Sequence, residues 1–410
     1  VVENQKITKM IDFNKALNLI KSNVKQISGN ELLLVSESIG RISSKTCKSN
    51  IDIPEFDCSS MDGIVINQFD LNKKHEFKIV GESKAGMKRS KHFSSGECIF
   101  IYTGAPLPTG RKKVIPIEYC KIINNKNIVQ VKNTIPTTNF IRKKGSDVKK
   151  KKVLIKKNEI MSLRDISLLF STKQKKINVL RKPKIAVVLT GDEVIESRKM
   201  IASNNTLTIV NLVKFFGGNI VDVRYVEDDK QKLSNVFENL NKFDLLVTSG
   251  GISKGKYDFV KEVLKEKKVK ILFDQVSIKP GKPTTFGKIA SNRFFLGLPG
   301  NPVSCFIISI FFLREIINSY TDCERDLFNF EEVTSLNNFK NETKLTLFLR
   351  VKKIQKKEKI SFQIYKTQDS HMNFVLKDAS GLLILKPKES IHKNKKYNII
   401  SFKNIFYNYI

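Results

Sequence analysis

The stretch Leu245-Leu-Val-Thr-Ser-Gly-Gly-Ile-Ser-Lys-Gly-Lys-Tyr-Asp258 constrains the fold more than any other part of the chain. The apolar run Phe243 to Val247 predicts a buried strand that ends in a glycine pair and a short polar loop. Glycine lets backbone approach a ligand closely and takes conformations closed to other residues. Two similar devices follow, Ser277-Ile-Lys-Pro-Gly-Lys-Pro-Thr-Thr-Phe-Gly-Lys288 and Phe295-Leu-Gly-Leu-Pro-Gly-Asn-Pro-Val-Ser304. In an open α/β sheet such loops gather beyond the carboxyl ends of the strands, where ligands bind. Their hydroxyls and lysines suit a phosphorylated ligand. Each turn alone also reads as ordinary loop punctuation; it is the series of three that points to a site.

The surrounding segments supply the sheet. Lys184 to Gly191 reads as a buried strand and turn, followed by a helix near Asn205 to Phe216 and a strand Asn219–Val226. Helix 229–240, strand 243–248, helix 259–267 and strand 269–275 continue the alternation, which predicts a doubly wound parallel sheet. Asn301-Pro302 predicts a helix start, with Asn at the cap and Pro at the first helical position. Apolar residues continue this helix through 306–317. Upstream, Lys9 to Ile27 has helical apolar spacing, and Leu32 to Ile42 is a second short periodic segment. Between about 51 and 141, β-rich runs at 77–80, 98–102, 113–117 and 128–131 predict a mostly-β insertion. A short run at 153–155 and a helix at 162–170 follow it. After about 326 the texture is β again, at 343–351, 360–365, 381–385 and 397–402.

A chain of 410 residues with 40% hydrophobic content is sized for several packed domains. Its net charge of +33 is spread over dispersed lysines without interleaved aromatics or a nucleic-acid motif. Only weak, salt-sensitive nucleic-acid attraction is expected from that, not a specific footprint. The six cysteines and four histidines have no metal-ligand or disulfide spacing. Reduced thiols, the absence of an apolar signal core, and the short apolar segment 303–313 predict a soluble, cytoplasmic protein with no membrane contact.

Four polar groups carry candidate chemistry. Asp62 follows Ser59-Ser60-Met61 and precedes Gly63, so its carboxylate could stand exposed in a turn; an Asp-Gly hairpin is the alternative. Thr103, in Tyr102-Thr-Gly-Ala-Pro106, offers a hydroxyl and an amide at a strand end. Thr190-Gly-Asp-Glu193 and Asp258 place carboxylates beside the glycine loops, an arrangement suited to Mg²⁺ with phosphate oxygens. Lys279 and Lys282, three apart between prolines, could bind an oxyanion, or could be surface lysines without a role.

Read together in order, Pro54-x-Phe-Asp-x-Ser-x-Met-Asp-Gly63, Tyr102-Thr-Gly-Ala-Pro-Leu-Pro108, Ile141-Arg-x-x-Gly-x-Asp147, Thr190-Gly-Asp-Glu193, the Ser249 to Asp258 loop, Lys279-Pro-Gly-Lys-Pro283 and Gly297-Leu-Pro-Gly-Asn-Pro-Val-Ser304 form a series. That series resembles the MoeA family of molybdopterin molybdenumtransferases, to which the E domain of gephyrin is similar. The resemblance runs from about residue 10 to beyond 380. It implies a MogA-like molybdopterin-binding α/β domain at 10–29 and 181–330 and a small dimerisation domain at 30–47 and 145–180. It further implies a mostly-β inserted domain at 48–144 and a C-terminal β barrel at 331–410.

The implied reaction inserts molybdate into adenylylated molybdopterin, releasing AMP. The implied assembly is a homodimer with each site between two subunits. Asp62, Asp258, Glu193, Lys279 and Lys282 take the catalytic positions. Asp258, Glu193 and Asp228 take Mg²⁺. Ser60, Thr103, Asp147, Thr190, Gly250, Gly251, Ser253, Gly255, Pro299, Pro302 and Ser304 take the substrate. The molybdopterin adenylyltransferase and downstream cofactor-handling proteins are the implied partners.

This chain departs from the family pattern at Ala202-Ser203-Asn204-Asn205, where relatives carry a carboxylate, and at Cys58 and Lys256. Rival readings are the adenylyltransferase itself, which resembles residues 181–330 but has neither the insertion nor the β tail, and a non-enzymatic molybdopterin-binding scaffold.

Overall fold

The computed structural model describes residues 10–71, 73–88, 92–110, 112–123, 127–190, 204–250, 259–322, 330–356 and 359–407. Its organising element is a six-stranded sheet in the order Asn219–Val226, Lys184–Thr190, Leu245–Ser249, Arg293–Leu298, Thr285–Ala290, Lys270–Asp274. The first four strands run parallel. Side chains along Lys184–Thr190 are apolar on both faces, as a sheet covered on both sides requires. Ile185, Val187 and Leu189 enter one core, shared with the helices Phe13–Asn23 and Asn204–Phe215. Ala186 and Val188 enter the opposite core, with the helices Lys230–Glu238 and Phe259–Glu266.

The sheet is not wholly parallel. Thr285–Ala290 runs antiparallel to both its neighbours, because it forms a hairpin with Arg293–Leu298 through Ser291-Asn292. The end of the Ser277–Lys288 stretch, read from the sequence as a strand-to-loop turn, therefore belongs to a strand, Thr285–Ala290.

The helix that begins at Pro302 continues to Thr321, with π-type winding over Ser309–Leu313. It is the one described helix long and apolar enough to cross a membrane, yet 89% of its apolar window is buried inside the protein. It lies between the first helix, through Phe13 against Phe311 at 5.5 Å, and the C-terminal β region, through Phe311 against Phe348 at 5.0 Å. The mainly apolar stretch Val303–Leu313 suits such a central position, and the polar residues Arg314, Glu315 and Asn318 follow in its last turns.

Residues 30–34 form a strand, Asn30–Leu34, antiparallel to Lys176–Leu180, and not a helical segment. Its i, i+3 spacing is outweighed by cross-strand pairing. Beside it, Val153–Ile155 pairs with Cys47–Lys48, and the helix Leu163–Ser171 starts from a Ser162/Asp165 capping box. The insertion is a second six-stranded sheet in the order Lys112–Pro116, Gly63–Asn67, Glu97–Ile101, Glu76–Ser83, Ile128–Val131, Cys120–Ile123. The C-terminal strands close on themselves: Thr346–Lys356, Lys359–Ile364, Phe330–Ser335, Lys396–Ser401 and Gly381–Leu385, the last pairing back with Thr346–Lys356. Closure removes unpaired edges.

Candidate functional site

The register of the α/β sheet gathers its strand ends. Leu189 lies opposite Ser249, and Ser249 opposite Leu298. Thr285 starts its antiparallel strand opposite Gly297 and Asp274. One edge therefore collects Thr190, Gly250, Pro299, Thr285 and Asp274. Gly250 has φ +89°, and a Cβ there would stand 2.4 Å from the Thr190 carbonyl oxygen. Only glycine fits this approach. A Cβ on Gly300 would stand 3.8 Å from the Gly250 Cα, in ordinary van der Waals contact.

Asn205 holds this edge together. Its Nδ2 donates to the Gly300 carbonyl at 2.6 Å and to Ser249 Oγ at 3.0 Å. Ser249 Oγ in turn donates to the Pro299 carbonyl at 3.3 Å. Asn205 Oδ1 and Thr190 Oγ1 are buried and have no hydrogen-bond partner among the described residues. Such groups call for an explanation, and a bound ligand is one. Thr285 Oγ1 donates to Asp274 at 2.7 Å, and Lys261 pairs with the same carboxylate at 3.1 Å. Asn205, Ser249 and Asp274 are not among the site residues expected from the sequence, although Ser249 lies in the Ser249 to Asp258 motif and Asn205 in the departing Ala202–Asn205 segment.

The lysine loop leaves the sheet here. Ile278–Lys279 pairs with Thr346 and Leu347 of the barrel, so the loop is fixed at both ends. Lys279 and Lys282 are exposed, and neither side-chain ammonium shows a hydrogen bond or ion pair to a described residue. Gly281, between them, has φ +110° and packs so closely on Ile308 that a Cβ would come within 2.4 Å. Pro302 stands at the first helical position as expected, but Asn301 caps by backbone position only, with no side-chain hydrogen bond. Ser304 is buried in the first turn of this helix.

A second group forms on the inserted domain. Asp62 is exposed and accepts two hydrogen bonds from Thr103, from the amide at 2.7 Å and from the hydroxyl at 2.8 Å. These hold its carboxyl below the usual Asp range, the amide bond being the larger cause. Asp62-Gly63 is not a hairpin turn. Gly63 begins the strand Gly63–Asn67, and it is glycine because a Cβ would lie 2.0 Å from the Ile115 carbonyl oxygen. The Ser60 amide donates to Phe140, and Cys58–Ser59 pairs with Ile141–Arg142. The exposed Asp147 follows in the next turn, tied by its amide to Ile53. Ser60, Asp62, Thr103 and Asp147 thus share one region of the insertion. None of the described hydrogen bonds joins Ser60, Asp62 or Thr103 to the strand edge of the α/β domain.

Glu193, Gly251, Ser253, Gly255 and Asp258 lie outside the described residues. Asp228 is half-buried just beyond the strand Asn219–Val226, and its neighbour Asp229 caps the helix Lys230–Glu238. Among the described residues no three His, Cys, Asp or Glu side chains cluster as metal ligands.

Comparison with known proteins decides the family. Residues 11–172 match the family "MoeA N-terminal region (domain I and II)". Residues 186–319 match "Probable molybdopterin binding domain". The molybdopterin molybdenumtransferase of Haemophilus influenzae is 34% identical over 283 residues, which cover 68% of this chain and 69% of that protein. The chain belongs to the molybdopterin molybdenumtransferase family.

A Staphylococcus aureus member of the family is 27% identical over 330 residues, 78% of each chain. The solved structure of a molybdopterin biosynthesis MoeA protein from Pyrococcus superposes with a TM-score of 0.77 at 25% identity, covering 96% of this chain and all of that one. Membership makes this chain a transferase of molybdenum cofactor biosynthesis. The multidomain α/β and β architecture, with its closed barrel, is that of the family.

Proposed function

We propose that this transferase takes adenylylated molybdopterin and molybdate and returns molybdenum-molybdopterin and AMP. The observation that carries the reading is the strand edge itself. Two exposed lysines without anionic partners among the described residues stand beside a glycine-lined edge whose buried Thr190 Oγ1 and Asn205 Oδ1 have no described hydrogen-bond partner. The lysines suit the molybdate dianion, and the glycine backbone suits phosphate. The dithiolene sulfurs that receive the metal belong to the substrate, so no cysteine set is required of the protein. Thr190, Gly250, Pro299, Pro302 and Ser304, with Gly251, Ser253 and Gly255, would line the pterin and pyrophosphate path.

Asp258, Glu193 and Asp228 would hold Mg²⁺, since three carboxylates are the oxygen donors a hard cation takes. The ion's contribution would be to neutralise pyrophosphate charge. In this reading the working unit is a homodimer. Asp62, with Ser60, Thr103 and Asp147, approaches the partner's strand edge, and the negative charge that Thr103 secures on Asp62 positions the reacting groups. Exposed apolar side chains on the 30–47 and 145–180 region support a partner surface there: Leu32, Leu34, Leu163 and Phe170 are 58, 45, 68 and 69% exposed. Isolated apolar residues are ordinary on a surface, but several on one small region mark an interface.

The test is to mix the purified protein with adenylylated molybdopterin and Mg²⁺ and to measure AMP with and without molybdate. Molybdate-dependent AMP release is expected. Release of no AMP would leave the scaffold reading, and formation of adenylylated molybdopterin from ATP would make the protein the upstream enzyme.

A further inference from the structure

The strand Lys112–Pro116 places Lys113 almost wholly inside the protein, 5% exposed. Its ammonium donates to the carbonyls of Pro136, Thr137 and Thr138 at 3.0, 3.0 and 2.6 Å. An ammonium has three donors and no acceptor, so these carbonyls use its full capacity. That pairing is what allows a charge to remain buried.

The clamped segment leads directly into strained structure. Asn139 Oδ1 is buried without a partner among the described residues, and Phe140 has φ +47°. A bulky residue in the left-handed region persists only where its surroundings over-determine it. Here they do so from both sides. Lys113 holds the carbonyls of residues 136–138, and the Phe140 side chain packs on the cluster of Val65, Ile101 and Leu107. The Phe140 carbonyl then accepts the Ser60 amide at 2.9 Å, two residues before Asp62.

We propose that Lys113 is a positioning residue for Asp62, acting through the 136–140 segment and Ser60. The proposal rests on the assignment of Asp62 to the reacting site. Lys113 touches no substrate, and its effect passes along Pro136–Thr138, Phe140 and Ser60 to the turn that presents the carboxylate.

The test uses the full-length protein and the AMP-release assay with Lys113→Met, which keeps the chain length and removes the charge. The expected result is a loss in kcat of about tenfold, with KM for molybdate unchanged because Lys279 and Lys282 lie elsewhere. Hydrogen exchange should quicken at the Ser60 amide and in 136–141, but not in the Glu76–Ser83 strand. In the Asp62→Asn background Lys113→Met should have little further effect, since residues acting as one unit are non-additive.

Multiplying effects of the two substitutions would overturn the proposal while leaving Asp62 in the site. Faster exchange across the whole inserted sheet would also overturn it, because Lys113 would then be a general support. A fully active Asp62→Asn protein would instead refute the Asp62 assignment, and the proposal with it. If Lys113→Met does not fold, Lys113→Gln, which retains two N–H donors, should show the same pattern at smaller size, and its absence there counts against the proposal.

Discussion

Replacing Gly63 by alanine tests how the sheet presents Asp62. The added Cβ would stand 2.0 Å from the Ile115 carbonyl oxygen and 2.9 Å from its carbon, where real contacts essentially never fall below 3.0 Å. The obstacle is backbone, so the strands Gly63–Asn67 and Lys112–Pro116 must part by at least about 1 Å at this point. The Ile117 amide donates to the Asp62 carbonyl at 3.0 Å, and that much lengthening takes it out of hydrogen-bonding range. Losing this bond costs about 1 kcal/mol, and forcing a methyl into a filled site about 1–3 kcal/mol.

A destabilisation of about 3 kcal/mol is therefore expected, read as a lower urea midpoint with unchanged slope. AMP release should fall on the order of 10²-fold, the effect of a 1 Å misplacement of a reacting group. Gly81→Ala is the control, because its Cβ would meet only the Ile99 side chain at 3.6 Å. If Gly63→Ala matches Gly81→Ala in stability and rate, the close-approach argument is wrong.

Other expectations follow from the site. The Thr103 bonds keep Asp62 charged to lower pH than an ordinary Asp, so activity should persist into the acid range. Thr103→Val should raise that pKa and move the acid limb of the rate profile to higher pH; an unmoved limb would exclude Asp62 as its source. Lys279→Ala and Lys282→Ala should each raise KM for molybdate about tenfold, the worth of a charge-assisted hydrogen bond. Unchanged molybdate KM in both would assign the anion to other groups.

Much of the architecture was legible because the strands are short, mainly apolar runs between turn residues. The α/β runs at 184–190 and 219–226 coincide with observed strands, as does 128–131 in the insertion. What escaped notice depends on partners distant in sequence. Thr285–Ala290 is a strand only because Arg293–Leu298 turns back upon it, and Asn30–Leu34 only because Lys176–Leu180 lies beside it. The Asp-Gly pair at 62–63 has the signature of a hairpin, yet the glycine serves a neighbouring carbonyl that is 52 residues away in the chain. The glycine loops announced the strand edge, but Asn205, Ser249 and Asp274 join it through register, which no local pattern encodes. Asp62 could be selected from its motif; its Thr103 partner and lowered pKa are products of the folded sheet.

The central claim is that each site takes Asp62 from one protomer and Asp258 from the other. Asp62→Asn and Asp258→Asn proteins, each slowed on the order of 10²-fold alone, should be mixed, allowed to exchange subunits, and assayed for molybdate-dependent AMP release. Random pairing gives one intact site in each mixed dimer, so activity should return to about a quarter of the wild-type level. Mixed dimers that demonstrably form yet release no AMP would contradict the shared site.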